Sequence, residues 1–105
     1  MNALSVRDPH ASQIACGQKV IENRSWGATV RGPVALHRCG PGGAVIGVME
    51  IARVIPWEQA LKEYPEQDEF IEGPLCWVIA SFRPCVPVPC RGRLSLWESP
   101  PLSLL

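Results

Sequence analysis

Prolines and glycines interrupt this sequence so often that it has no room for a long helix. Its 105 residues include eleven prolines and nine glycines. Both residue types end helices and favour tight turns, and the segments between them are short and rich in β-branched side chains. The hydrophobic fraction of 47% and the charged fraction of 19% are typical of a globular protein rather than a disordered one. The sequence therefore predicts a mainly β (α+β) fold, in a single domain that spans residues 1–105.

Six short strands are predicted from the apolar segments, at residues 3–6, 20–24, 34–37, 44–55, 75–80 and 93–98. The third and fourth flank a glycine-rich turn and should pair as a hairpin. Gly47 lies inside the fourth, which indicates a bulge or the close approach of another backbone. Residues 83–89 contain three prolines and should run extended along a sheet edge, and the tail at residues 99–105 should be loosely held. Such short strands favour a small barrel-like sheet closed on itself, because closure leaves no unpaired edge.

Two short helices are predicted between these strands. The first begins with Asp8 as N-cap and Pro9 at the first helical position, and ends before Gly17, a residue type favoured just after a helix. The second covers residues 56–63. The acidic segment that follows, up to residue 72, is predicted to be a surface loop or a weak helix.

A charged segment stands out from this apolar background at residues 17–26, Gly-Gln-Lys-Val-Ile-Glu-Asn-Arg-Ser-Trp. Alternation along a strand places Glu22 and Arg24 on one face, together with Val20, and the residues between them on the other. Lys19 then lies at the strand entrance. A small domain needs most of its positions for the core, so this concentration of charge indicates a site. The alternative is an ion pair on a barrel rim, with Lys19 in solvent.

The formal net charge of zero argues against a strongly basic nucleic-acid-binding protein. The charges are nevertheless unevenly distributed: basic residues outnumber acidic ones in residues 1–55, whereas residues 58–72 carry much of the acid. A basic patch of this kind can hold one or two phosphates, and the acidic flank 58–72 is a candidate surface for a protein partner. The alternative is two solvated faces without a ligand.

Five cysteines without regular spacing argue against a disulfide framework and predict reduced thiols that pack as small hydrophobic residues. No metal site and no cofactor are predicted, because the spacing patterns of structural zinc sites are absent. The N-terminus lacks the basic and apolar regions of a signal peptide, and no apolar run reaches the roughly 20 residues that span a bilayer. A cytoplasmic location is therefore expected.

Several motifs in register resemble the ASCH domain, named for activating signal cointegrator 1 homology. They are the segment 4–12 (LSVRDPHAS), the G-x-K-x-x-E-x-R-S-W run at 17–26, Arg31-Gly32-Pro33, Ile46-Gly47-Val48, Gly73-Pro74 followed by Trp77-Val78, and the segment 91–97 (RGRLSLW). The resemblance covers about residues 3–98. It implies a PUA-like β-barrel that binds RNA or another nucleic acid in a cleft lined by the G-x-K motif. Some small bacterial relatives are hydrolases, acting on N4-acetylcytidine or on RNA.

This chain departs from the pattern of its relatives in three places. His10 stands where relatives often have tryptophan, and the connection after His37 is shorter. Amidohydrolase relatives carry threonine where this chain has Glu22, and they use a further downstream glutamate. Four residues are candidates for that acid: Glu63, Glu66, Glu69 and Glu72.

The residues of the charged segment suit a binding or catalytic site. Lys19 can bind a phosphate, or act as a base if burial lowers its pKa. Glu22 can act as an acid or base, or accept a hydrogen bond from an exocyclic amine. Arg24 can clamp Glu22 or a phosphate. Lys19 and Glu22 are the catalytic candidates if the protein is an enzyme. The predicted ligand-binding residues are Lys19, Glu22, Arg24, Ser25, Trp26, Arg7, Arg31 and His37.

The aromatic residues among these candidates have structural alternatives. Trp26 can stack on a base or be a core or rim residue, and His37 can line the cleft or be a hydrogen-bonded structural residue. The other three tryptophans, Trp57, Trp77 and Trp97, are predicted to be core residues.

Overall fold

The computed structural model describes all 105 residues. Its elements in chain order are β1 (Asn2–Arg7), α1 (His10–Ala15), β2 (Ile21–Arg24), β3 (Gly32–Cys39), β4 (Ala44–Pro56), α2 (Trp57–Glu63), a 3₁₀ helix (Pro65–Phe70), β5 (Leu75–Pro89) and β6 (Leu96–Glu98). The predicted mainly β fold is confirmed, as are six strands and two short helices. The acidic segment, predicted to be a surface loop or a weak helix, forms the 3₁₀ helix.

All six strands belong to one sheet with the spatial order β2–β5–β4–β3–β1–β6. The predicted hairpin of β3 and β4 is present and antiparallel, whereas β1 pairs with β3 in parallel. The outermost strands, β2 and β6, are not hydrogen-bonded to each other, so the sheet is barrel-like without the predicted closure. A side chain spans the gap instead: Arg24 of β2 donates from Nη2 to the carbonyl oxygen of Ser5 in β1, at 3.0 Å.

The main core lies between the sheet and α1, with Trp77 of β5 as its largest fully buried side chain. Trp77 is thus a core residue as predicted, but Trp57 is 41% exposed on α2 and Trp97 is only half-buried. Trp57 is excluded from the core because it begins a surface helix, where it covers the backbone of Gly73. The apolar residues near Trp57 in the sequence did not predict this exposed position.

Gly47 is where another backbone comes close, as predicted. A Cβ at this position would collide with the carbonyl oxygen of Arg83 and the ring of Phe82 in β5. The β4–β5 register also shifts between Val45 and Gly47. β5 continues through the three prolines to Pro89, which matches the predicted extended segment. Prolines are tolerated there because this part of β5 lies beyond the end of β2, at the sheet edge.

The ends of several elements differ from the predictions. Helix α1 begins one residue later, with Pro9 rather than Asp8 as N-cap, and the Asp8 carboxylate accepts from the backbone N–H and hydroxyl of Ser12 at 2.9 and 2.8 Å. The last strand spans only Leu96–Glu98 rather than the predicted 93–98, and Leu94 before it is 93% exposed. Gly17 follows α1 with a positive φ of 81°, as the prediction requires.

The C-terminal tail is held to β5 rather than loosely attached. Val86 donates its backbone N–H to Ser103 at 2.8 Å, and Leu105 donates to Pro84 at 3.0 Å. Cys85 and Leu104 form an antiparallel bridge. These contacts cover part of the edge that the prolines leave unpaired. None of the helices is long and apolar enough to cross a membrane.

Candidate functional site

The three charged residues of the predicted motif form one connected cluster. Arg24 donates from Nε and Nη2 to Oε2 of Glu22, at 3.1 and 2.8 Å. The other carboxylate oxygen of Glu22 lies 3.8 Å from Nζ of Lys19. The side chain of Glu22 is 9% exposed and that of Lys19 only 1%. We call Lys19, Glu22 and Arg24 the charged triad; it is an ion-pair cluster inside the fold, not a pair on an open rim.

Gln67, a residue outside the motif, holds the turn that contains Lys19 in place. The Gln67 side chain is buried in the 3₁₀ helix, where its carbonyl oxygen accepts from the backbone N–H of Val20 at 2.8 Å and its amide donates to the carbonyl of Gln18 at 3.1 Å. Val20 itself precedes β2 and packs against the cluster around Ile21, so the predicted alternation begins only at Ile21. Alternation then places Glu22 and Arg24 together, as expected.

Burial determines the electrostatics of Lys19. Removal from water lowers the pKa of the Lys19 ammonium below its usual value, and the negative charges of Glu22 and Glu72 oppose that shift. The ammonium also lies 5.3 Å from the centre of the Phe70 ring, which offers a cation–π contact in place of lost hydration. Glu72 is the one of the four downstream glutamates that acts on Lys19 in this way. Glu63 instead pairs with Arg53.

A cavity of about 550 Å³ opens beside the charged triad, between β1, β2 and the segment 92–95. Glu22 and Arg24 contribute to its wall, and Lys19 lies behind them outside the lining. The segment 92–95 is tied to β1 through Ser5, whose hydroxyl oxygen accepts from the backbone N–H of Arg93 at 3.3 Å and from the indole N–H of Trp97 at 3.1 Å. The lining consists of Leu4, Ser5, Val6, Arg7, His10, Glu22, Arg24, Cys39, Gly92, Arg93, Leu94 and Ser95.

Of the predicted ligand-binding residues, the structure brings Arg7, Glu22 and Arg24 together on this cavity. Ser25 and Trp26 follow β2 and lie outside the lining. Trp26 packs edge-on against the buried Trp77, with ring centres 5.3 Å apart and planes at 88°. Trp26 is therefore a residue at the rim of the core, which was the alternative to stacking on a base.

Two further predicted residues also lie outside the cavity lining. Arg31 is exposed and folds back on its own loop, where it donates to the carbonyls of Ala28 and Val30 at 3.3 and 2.6 Å. His37 is 1% exposed, with Nε2 at 2.9 Å from the carbonyl oxygen of Cys90 and its ring edge-on to Trp97. The Nε2 contact of His37 is that of its structural alternative, whereas its Nδ1 is buried without a hydrogen-bond partner.

Several residues of the cavity were not among the predicted ligand-binding residues. Arg93, Leu94 and Ser95 come from the segment before β6, and His10 comes from the start of α1. Arg93 belongs to the Arg-Gly-Arg sequence at 91–93, whose two arginines indicate a basic surface. The spacing of the motifs did not show that this segment lies close to the charged triad. His10 occupies the position at which the resemblance places an aromatic residue. Both join the site because the sheet curls, which brings β1 close to β2 although three strands separate them in the sheet order.

Comparison with known proteins identifies the fold. The model of the ASCH domain family matches residues 4–88. The crystal structure of ASCH from Zymomonas mobilis matches with a TM-score of 0.70 at 14% identity, covering 94% of this chain and 87% of that chain. Two mutant forms of ZmASCH match with TM-scores of 0.62 and 0.61, both at 16% identity and 84% of this chain, covering 74% and 72% of theirs. No curated protein matches the sequence. Because the family model spans most of its length, the chain belongs to the ASCH domain family.

Proposed function

We propose that this ASCH domain binds nucleic acid, with RNA as the first candidate, by taking a nucleotide into the cavity beside the charged triad. The observation that carries this proposal is the composition of the cavity wall. Three arginines, Arg7, Arg24 and Arg93, line it together with the buried carboxylate of Glu22. Guanidinium groups suit phosphate, and a carboxylate suits the exocyclic amine of a base edge.

The charges of the wall are not all neutralised within the protein. Arg24 is engaged with Glu22 and with the carbonyl of Ser5. The side chains of Arg7 and Arg93 make no ion pair and no hydrogen bond in this structure, and both residues are exposed. These two guanidiniums are the groups that would contact phosphate, and Arg24 would hold Glu22 in position to meet the base.

Binding of a fluorescently labelled short single-stranded RNA, followed by anisotropy at low and increasing salt, tests the proposal. The two phosphate contacts made by Arg7 and Arg93 should contribute about −1.4 to the slope of log affinity against log salt. Arg93→Ala should weaken binding and reduce the slope by about 0.7. The matched control is Arg83→Ala, an exposed arginine outside the cavity lining, which should change neither.

A loss of affinity in Glu22→Gln that differs between RNA sequences would support a role of the carboxylate in reading the base. Binding that is absent at low salt, or that Arg93→Ala and Arg83→Ala weaken equally, would refute the proposal. Lys19→Ala acts on the cavity only through Glu22, because Lys19 itself is buried behind it. Its effect should therefore follow that of Glu22→Gln and be smaller.

A second function, hydrolysis of a modified nucleoside of the N4-acetylcytidine type or of RNA, has one observation in its favour. Lys19 is buried near the charges of Glu22 and Glu72, and burial lowers its pKa toward the range in which an amine serves as a general base. The geometry favours binding over this function, since only Glu22 of these three residues lines the cavity. Incubation with N4-acetylcytidine and with labelled RNA decides it: product that is lost in Lys19→Met and Glu22→Gln supports hydrolysis, and no product from either substrate refutes it.

A further inference from the structure

We propose, resting on the proposed function, that the ligand is a single strand of at least three nucleotides, whose middle base enters the cavity while arginines on both sides hold its neighbouring phosphates. Two depressions continue the cavity toward opposite ends of β1, since Arg7 ends that strand and Glu98 pairs with Asn2 at its start. One is lined by Arg7, Asp8, Cys39, Gly40 and Pro41, and it meets the cavity at Arg7 and Cys39. The other includes Cys90, Arg91, Arg93 and Trp97, and it meets the cavity at Arg93.

The charge extends beyond what one nucleotide can reach. The cavity, at about 550 Å³, has the size of a site for one small ligand. Arg91 lies outside its lining, in the second depression, and makes no ion pair or hydrogen bond through its side chain. Arg38 lies outside it too, beside the first depression, where its Nε is 3.9 Å from a carboxylate oxygen of Asp8. A mononucleotide in the cavity contacts neither of these arginines, whereas a strand that passes through the cavity can contact both.

Two carboxylates mark the limits of this basic surface. Asp8 lies in the first depression, and its exposed pairing with Arg38 is weak enough for a phosphate to compete with it. Glu98 lies in the second depression, and because its exposed pairing with the N-terminal ammonium at 3.4 Å offsets its charge only weakly, it would repel a phosphate. The favourable path therefore runs from Arg38 and Arg7, across the cavity, to Arg93 and ends at Arg91.

The depth of Glu22 determines the form of the strand. Its carboxylate is 9% exposed, so a base must turn away from its neighbours to reach it. In a duplex this turn requires breaking a base pair and stacking, whereas an unpaired base can be turned out at a smaller cost. The half-buried Trp97 lies in the second depression and offers a ring for the adjacent base.

Calorimetry or anisotropy with matched ligands tests this inference: the nucleoside monophosphates, a single-stranded oligonucleotide of about five residues, near the lower end of single-strand site sizes, and the corresponding duplex. At low salt the single strand should bind roughly 10-fold more tightly than any monophosphate, because it gains contacts with Arg38 and Arg91. Arg91→Ala and Arg38→Ala should remove most of that advantage and leave monophosphate affinity unchanged. Arg93→Ala should weaken both ligands, and Arg83→Ala neither. Comparison of RNA with DNA strands determines whether the 2′-hydroxyl is recognised. Tighter binding of either strand than of its own monophosphates supports the path.

The outcomes separate this inference from the proposed function. Equal affinity for monophosphate and single strand, or no effect of Arg91→Ala and Arg38→Ala on the single strand, would overturn the path while the cavity remains a nucleotide site. Equal affinity for the duplex would overturn the single-strand preference. Failure of every ligand to bind would refute the proposed function, and the path with it. Both substituted arginines are on the surface, so their variants should fold, and thermal unfolding verifies that they do.

Discussion

Substitution of Glu22 by glutamine tests whether the charged triad has the energetics that its geometry implies. The change keeps the shape of the side chain and removes its charge. Arg24 then donates to a neutral amide oxygen instead of a carboxylate, and Lys19 loses the closer of its two negative neighbours. Because the side chains of Lys19 and Glu22 are 1% and 9% exposed, water can compensate little for either loss.

The magnitude follows from two contributions. A charge-assisted hydrogen bond contributes about 1–2 kcal/mol more than a neutral one, which is the first loss. Removing one partner of a buried ion pair costs about 3–5 kcal/mol, but the 3.8 Å separation and the remaining charge of Glu72 reduce this second loss to about 1–2 kcal/mol. The free energy of unfolding should therefore fall by about 2–4 kcal/mol, equivalent to a decrease in Tm of roughly 10–20 °C.

Urea unfolding followed by tryptophan fluorescence measures this loss, since the buried Trp77 becomes exposed on unfolding. The matched control is Lys19→Met, which removes the buried charge and leaves Glu22 paired with Arg24; it should change the stability by less than about 1 kcal/mol. In the double variant the two effects should not add: methionine removes the unpaired ammonium and should restore about 1 kcal/mol or more. A loss below about 1 kcal/mol in Glu22→Gln, or additivity within about 0.5 kcal/mol, would refute this account of the triad.

Three further predictions concern the same region and its support. Burial lowers the pKa of Lys19 below 10.5, so just below pH 10.5 the unfolded chain binds more protons than the folded chain. The stability of the wild type should therefore rise with pH in this range relative to that of Lys19→Met, as measured by parallel urea titrations. Gln67→Ala leaves two backbone groups of the Lys19 turn without partners and should lower the free energy of unfolding by about 2 kcal/mol, whereas the exposed neighbour Glu66→Ala should change it by less than about 0.5 kcal/mol. Gly47→Ala should cost about 1–3 kcal/mol by thermal unfolding, because its methyl group collides with Phe82 and with the backbone of β5; an unchanged Tm would contradict that packing.

Local patterns were sufficient for the parts of this protein that depend on neighbours in sequence. The spacing of prolines and glycines predicted a mainly β chain without a long helix, and period-2 alternation placed Glu22 and Arg24 on one face of β2. Gly47 indicated the close backbone approach that the structure contains. Each of these features is determined within a few residues, where backbone geometry and side-chain size decide the outcome.

The resemblance to ASCH domains added the fold, because its motifs lie in register along almost the whole chain. It also directed attention to Lys19, Glu22 and Arg24, which the structure brings together. It did not predict which other residues join them, since a motif specifies positions in sequence and not the distances between separate motifs.

Tertiary structure alone decided the environment of the charged triad. Lys19 is buried because the 3₁₀ helix, through Gln67 and Phe70, covers a turn far away in sequence. The opposite wall of the cavity comes from Arg93 and its neighbours, which Ser5 holds against β1. The cavity depends on the pairing of β1 with β6, from the two ends of the chain, and on the curl of the sheet toward β2, and no local periodicity encodes either. The sequence therefore marked one wall of the cavity, whereas long-range packing supplied the other wall and removed Lys19 from solvent.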